Sequence, residues 1–169
     1  MSFLDRIAEC NNADMARFRP FRVGPEQAGW VYHELVPTLR RFPEVFLAGD
    51  RDVSLVPALD TPDKRSKAID AVLRRLAGEG LIKGWREESY PVHPVGGGPV
   101  LMAMERAAVP HFGVRSYGVH MNGFVRLKDG LHMWIGRRAA DKPTYPGMLD
   151  NTVAGGQPAG IGYKENLIK

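Results

Sequence analysis

"DNTVAGGQPAGIGYKENLIK", residues 150–169, is the stretch on which the fold turns. "LDNTVA" has the character of a short strand, the pair Gly155 and Gly156 predicts a turn, and Tyr163, Asn166, Leu167 and Lys169 fall at helical spacing. Glycines let a backbone come close to a ligand, and the N-terminus of a helix favours an anion. Many α/β proteins contain such an arrangement, so by itself it marks only a place where a phosphate fits. The final helix has neither a capping residue nor a polar tail, and the expectation is that the 169 residues are part of a longer protein.

Immediately upstream, "SYGVHMNGFVRLKDGLHMWIGRR" (116–138) predicts a β-hairpin, with Asp129-Gly130 as a type I′ turn between two strand-like runs. His120 and Asn122 alternate with Val119 and Met121 and so share a face. They either line a substrate pocket on the sheet or form a hydrogen-bonded structural pair. Arg137 and Arg138 end the second run on opposite faces, one facing a diphosphate and the other solvent. Glu105 and Arg106 are read as an ion pair.

Further out, the sequence divides softly at the triple glycine 96–98, giving an N-terminal region 1–100 and a second region 101–169. "FRPFRV" (18–23), "EVFLA" (44–48) and "DVSLVPA" (52–58) read as strands, the last two around a turn at Gly49-Asp50. "EQAGWVYHELVPTLRRF" (26–42) carries Trp30, Val31, Leu35, Val36 and Leu39 at helical spacing and predicts a helix. A second helix follows from Thr61 as N-cap, Pro62 at the first position, a buried stripe of Ile69, Val72, Leu73 and Leu76, and a stop at Gly78 or Gly80. The fold class is therefore α+β.

Composition bounds the rest. Hydrophobic residues make up 44% and charged residues 25%, which suits a folded chain and excludes disorder. Asp5, Arg6 and Glu9 interrupt the apolar residues of the N-terminus, which reads as a short amphipathic helix, and no apolar run is long enough for a membrane span. The single Cys10 excludes an intrachain disulfide and points to the cytosol, giving a cytoplasmic expectation. The net charge of +4 is compatible with an acidic ligand, either a phosphate ester or a nucleic acid.

Taken in order, "GVHMNGFV", "WIGRR", "KPTYPGMLDNTVAGGQPAG" and "KENLIK" resemble the opening of a Nudix hydrolase domain. More narrowly they resemble the Nudix proteins related to thiamine pyrophosphokinase, which carry an additional N-terminal domain. The resemblance implies an N-terminal α+β domain followed by the first part of a Nudix α/β/α sandwich with a mixed sheet. It also implies hydrolysis of a diphosphate linkage in a small nucleoside-diphosphate-like or thiamine-diphosphate-like molecule, with Mg2+ or Mn2+ as cofactor. In the family signature, G-x5-E-x7-R-E-U-x-E-E-x-G-U, Gly155 takes the first glycine, and Ile161 and Lys169 then stand where the first glutamate and the arginine belong.

Ile161 is no carboxylate, and Lys169, the catalytic position, keeps the charge of arginine without its planar fork. The metal-binding glutamates of the signature would follow Lys169. Gly155, Gly156 and Gly160 become the Nudix loop, with the Gly155 carbonyl as a metal ligand, while His120, Asn122, Arg137, Arg138, Lys142 and Tyr145 become substrate-binding residues. Lys142 and Tyr145 otherwise belong to a loop merely stiffened by Pro143 and Pro146. A second reading stays open: a non-catalytic ligand-binding module, or a winged-helix regulator with 67–92 as recognition helix and wing, bearing on its face Lys64, Arg65, Lys67, Arg74 and Arg75.

Overall fold

A computed structural model of the chain describes residues 2–142 and 144–168. The chain forms two compact units, Met1–Arg115 and Ser116–Lys169. The fold is α+β with a mixed sheet.

The first unit begins with helix α1 (Phe3–Cys10), closed by a capping box in which Ser2 and Asp5 exchange bonds with each other's amides. Its apolar residues Phe3, Leu4 and Ile7 are exposed. Strands β1 (Phe18–Val23) and β2 (Glu26–Tyr32) form an antiparallel pair around Gly24, whose φ of +59° suits a residue without Cβ.

The helix expected over 26–42 is thus mainly a strand. Trp30, Val31, Leu35 and Val36 satisfy a helical period by coincidence, but in β2 only Ala28, Gly29 and Val31 are buried and Val31 alone fills the core from the predicted stripe's first half. The tight connection at Gly24 aligns this segment with β1, and pairing overrides the periodicity. Only after Tyr32 does the chain turn helical, in a 3-10 turn at His33–Leu35 and the single-turn helix α2 (Val36–Leu39), with Pro37 in its first turn.

Strands β3 (Phe46–Ala48) and β4 (Val53–Leu55) flank the predicted turn at Gly49-Asp50, and β4 lies parallel to β1, giving the order β2-β1-β4-β3. Helix α3 (Pro62–Gly78) keeps each predicted feature: Thr61 Oγ1 accepts from the Lys64 amide, and Ile69, Val72, Leu73 and Leu76 are buried. It stops in a Schellman motif, with Gly80 at φ +77°, its amide donating to Ala77 and that of Leu81 to Leu76. Strands β5 (Ser89–Val92) and β6 (Met102–Glu105) pair antiparallel across the triple glycine, so the glycines expected near the boundary lie in a hairpin of the first unit. A 3-10 segment, Arg106–Phe112, then inserts Phe112 between Phe21 and Phe46, at ring separations of 5.1 and 6.0 Å.

In the second unit β7 (Gly118–Met121) is followed by the hairpin β8 (Phe124–Leu127) and β9 (Gly130–Met133). The hairpin is where the sequence placed it, but its turn differs. Leu127 pairs with Gly130, so Lys128 and Asp129 form the loop, and neither has the positive φ that a type I′ turn requires of both central residues. Gly130 instead takes φ +139° at the first position of β9. The short pair β10 (Gly136–Arg137) and β11 (Leu149–Asp150) follows, then β12 (Val153–Gly156), antiparallel to β7, and helix α4 (Tyr163–Ile168). Gly155 and Gly156 therefore belong to a strand, not to a turn. The bend comes later, where Gly160 has φ +80°.

Candidate functional site

The residues singled out in the second unit converge through one that was not. Asn151, between β11 and β12, accepts from His120 Nδ1 at 2.9 Å through its Oδ1 and donates from Nδ2 to Asn122 Oδ1 at 2.6 Å. His120 and Asn122 were expected to share one strand; Asn122 lies past the end of β7, and the two meet only through this amide. Each Asn151 contact fixes the other, because its oxygen is used by the ring nitrogen and its NH2 by the second asparagine. Of the two predicted readings, the hydrogen bonds match a structural pair, bridged by a third side chain, and both members stay exposed.

The network continues. The Asn151 amide donates to Asp150 Oδ1 at 2.9 Å, and Asp150 Oδ2 accepts from Arg138 Nη1 at 2.7 Å. The Arg138 guanidinium, and then the Asn151 amide, hold the Asp150 carboxyl below the usual carboxylate range. Thr152 adds a cross-tie, accepting from the Gly123 amide and donating to the Trp134 carbonyl, each at 2.9 Å. Asp150, Asn151 and Thr152 were missed because "DNT" has no apolar period to place it; a polar triplet between two strand signals was the sole cue.

Arg138, expected at a diphosphate or in solvent, is at neither: its fork is spent on Asp150 and on the carbonyls of Thr144 and Tyr145. Arg137 and Lys142 make no ion pair among the described residues, which leaves these two cations available to an anion. Tyr145 is exposed.

The glycine bend is fastened by α4. Gln157, one of the few buried polar residues among those described, donates its backbone N–H to the Tyr117 carbonyl at 2.9 Å, and antiparallel alternation then makes Gly155 and Val119 a bonded pair. The Gly155 carbonyl consequently faces Val119, while that of Gly156 points away from β7 and accepts from Asn166 Nδ2 at 2.8 Å. The same Nδ2 donates to Gln157 Oε1 at 3.0 Å. Lys169, the expected catalytic position, lies outside the described residues.

A hard divalent cation needs several oxygen ligands, mostly carboxylates. Among the described residues no three of His, Cys, Asp and Glu come together, and α4 offers Glu165 alone. The donor set here does not fit a catalytic cation.

The first unit gives the nucleic-acid reading little to work with. Lys64, Lys67 and Arg75 pair with Asp60, Asp63 and Glu79, Arg74 pairs with both Asp70 and Glu87, and Arg65 is turned onto the carbonyls of Leu59, Asp60 and Leu101. The basic face of α3 is neutralised by its own neighbours. Glu105 and Arg106 do not pair as expected: Arg106 meets Glu88 at 2.6 Å, and the buried Glu105 carboxylate accepts from the amides of Arg86, Glu88 and Ala107.

Comparison with known proteins adds the class. A family described as Domain of unknown function (DUF4743) matches residues 2–116, and the chain belongs to it. Nudix hydrolase 20, chloroplastic, of Arabidopsis thaliana is 39% identical over 99% of the chain and 48% of that protein. Nudix hydrolase 24, chloroplastic, of the same plant is 38% identical over 99% of the chain and 47% of that protein. An uncharacterized protein of Saccharomyces cerevisiae is 37% identical over 63% of the chain and 32% of its own length.

The chain spans about half the length of the Nudix relatives it matches. The resemblance to Nudix proteins with an extra N-terminal domain is borne out at family level. The cytoplasmic expectation is overturned, because both plant relatives are chloroplastic by name. A lone cysteine excludes an intrachain disulfide, and any reducing compartment meets that condition. No helix among the described residues is long and apolar enough to cross a membrane.

Proposed function

We propose that the protein hydrolyses a diphosphate linkage in a small nucleoside-diphosphate-like or thiamine-diphosphate-like compound, the first unit acting as an accessory domain and the second opening the hydrolase domain. The observation that carries this reading is similarity to two Nudix hydrolases along 99% of the chain, through β12, the glycine bend and α4. Water attacks phosphorus and the bridging P–O bond breaks. Arg137 and Lys142 offset the negative charge of the diphosphate, and His120 and Asn122, braced by Asn151, hydrogen-bond to the substrate. Gly155 and Gly156 close the strand that leads into the loop, Gly160 makes its bend, and Lys169 supplies the positive charge of the signature's arginine.

Mg2+ or Mn2+ belongs to this chemistry in the family, but the described side chains do not group to hold it. The test compares this 169-residue chain with a protein extended to the full length of the Nudix relatives, each given ADP, a dinucleoside diphosphate and thiamine diphosphate with magnesium. The extended protein is expected to release a monophosphate product that a chelator abolishes, and the shorter chain to release none. Binding without turnover in the extended protein refutes hydrolysis and leaves the ligand-binding module.

A further inference from the structure

Tyr145 stands in a conformation its side chain disfavours. Its φ is +49°, in the left-handed region, where the only other non-glycine residue among those described is Glu87. The conformation is enforced from outside: Arg138 Nε donates to the carbonyls of Thr144 and Tyr145 at 3.2 and 3.1 Å, and Nη2 donates again to that of Thr144 at 2.9 Å. Asp150 fixes the third nitrogen, and this ion pair is about three-quarters shielded from solvent. The Tyr145 ring, by contrast, is 71% exposed and has no aromatic partner among the described residues.

Glycine or asparagine would serve this turn at less cost. Strained backbone persists where surroundings over-determine it, and it collects at ligand sites. Held in strain, the ring is little covered by the other described residues, which leaves its face open to a flat ring. An exposed tyrosine face stacks on flat rings, a contact tolerant of ring identity and insensitive to charge elsewhere on the ligand.

We propose that Arg138 is a positioning residue that holds Tyr145 out as a stacking platform for the aromatic ring of the substrate. Tyr145 thereby selects ring-bearing diphosphates over ring-free ones. The inference rests on the diphosphate-hydrolase reading for the identity of its ligand. It accounts for why the guanidinium is spent on loop carbonyls and not offered to a diphosphate.

The test is calorimetric affinity for ADP, thiamine diphosphate and inorganic pyrophosphate, measured on the protein and on Tyr145→Phe, Tyr145→Gly and Arg138→Gln. Tyr145→Gly is expected to weaken ring-bearing ligands by about tenfold, leave pyrophosphate unchanged, and keep or raise the melting temperature, since glycine relieves the strain. Tyr145→Phe retains the affinity. Arg138→Gln weakens the ring-bearing ligands without touching pyrophosphate.

An equal loss for pyrophosphate, no loss for the ring-bearing compounds, or no binding of any of the three by the unaltered protein overturns the proposal. Ring-selective binding that Tyr145→Gly removes, in an extended protein that hydrolyses nothing, sinks the hydrolase reading and keeps this one. Hydrolysis whose ring selectivity survives Tyr145→Gly does the reverse.

Discussion

The two units are held together by different means. In the first, Phe21, Val31, Leu39, Val53, Ile69, Leu73 and Phe112 are wholly buried, and burial of apolar surface is the main stabilising term. In the second, among the described residues, only Val119 and Gln157 are buried, while Phe124, Leu127, Leu131 and Met133 of the hairpin are exposed. There, ladder bonds and the chain of side-chain contacts from Arg138 to His120 tie the described residues together. Losing an apolar side chain should therefore be costly in the first unit and cheap in the second, whereas losing a polar one is costly wherever it leaves buried partners unpaired.

The sharpest way to break that contrast is a matched pair of truncations. Leu73→Ala removes a fully buried side chain and is expected to lower unfolding stability by about 3 kcal/mol, while Leu127→Ala stays within about 0.5 kcal/mol. Denaturant midpoints of this chain measure both, and equal losses would show that the hairpin has a core after all. Next in size is Glu105→Ala, which strands three amide donors in the first unit's interior and is expected to cost about 2 kcal/mol by the same measurement.

Asn151→Ala comes third. It releases both His120 and Asn122 and is expected to cost about 1 kcal/mol within the second unit, leaving the first unit's transition unmoved. Hydrogen exchange of the β7 and β12 amides reads the effect; faster exchange throughout the first unit would contradict the contrast.

The smallest effect is a surface one. Two Arg74 bonds, at 2.8 and 2.9 Å, hold the Glu87 carboxyl down at about 2 from an ordinary 4.5. A depressed folded pKa contributes stability that is fully present above pH 4.5 and is lost as pH falls towards 2. The unfolding midpoint of the unaltered protein is expected to fall across that window more than that of Glu87→Gln, by a margin that salt reduces. Coincident pH profiles would show that the pair adds nothing.

Local chemistry made much of this legible in advance. Thr61, Pro62 and Gly80 bound α3 because a cap, a fixed φ and a left-handed stop act within a few residues, and the stripe from Ile69 to Leu76 could face only a core. The hairpin at 124–133 and the strands around Gly49 were visible for the same reason. The segment 26–32 was misread because its apolar spacing fits two periods, and pairing with β1 decided between them.

The candidate site was legible as a set of polar residue types, not as an arrangement. His120, Asn122 and Arg138 stand far from "DNT" in the sequence, and nothing in the spacing brings Asn151 between the two side chains or turns Arg138 onto the 144–145 carbonyls.

By itself, then, the sequence determined the α+β class, the ends of α3 and the likeness to Nudix proteins, since caps, turns and patterned stripes act over short stretches. Tertiary structure alone decided that Gly155 and Gly156 lie in a strand, that Glu105 serves three amides, and that one asparagine gathers the polar side chains. Those outcomes depend on which distant backbone supplies the partner, and a hydrogen bond's partner is chosen by where the chain has been brought, not by its neighbours along it.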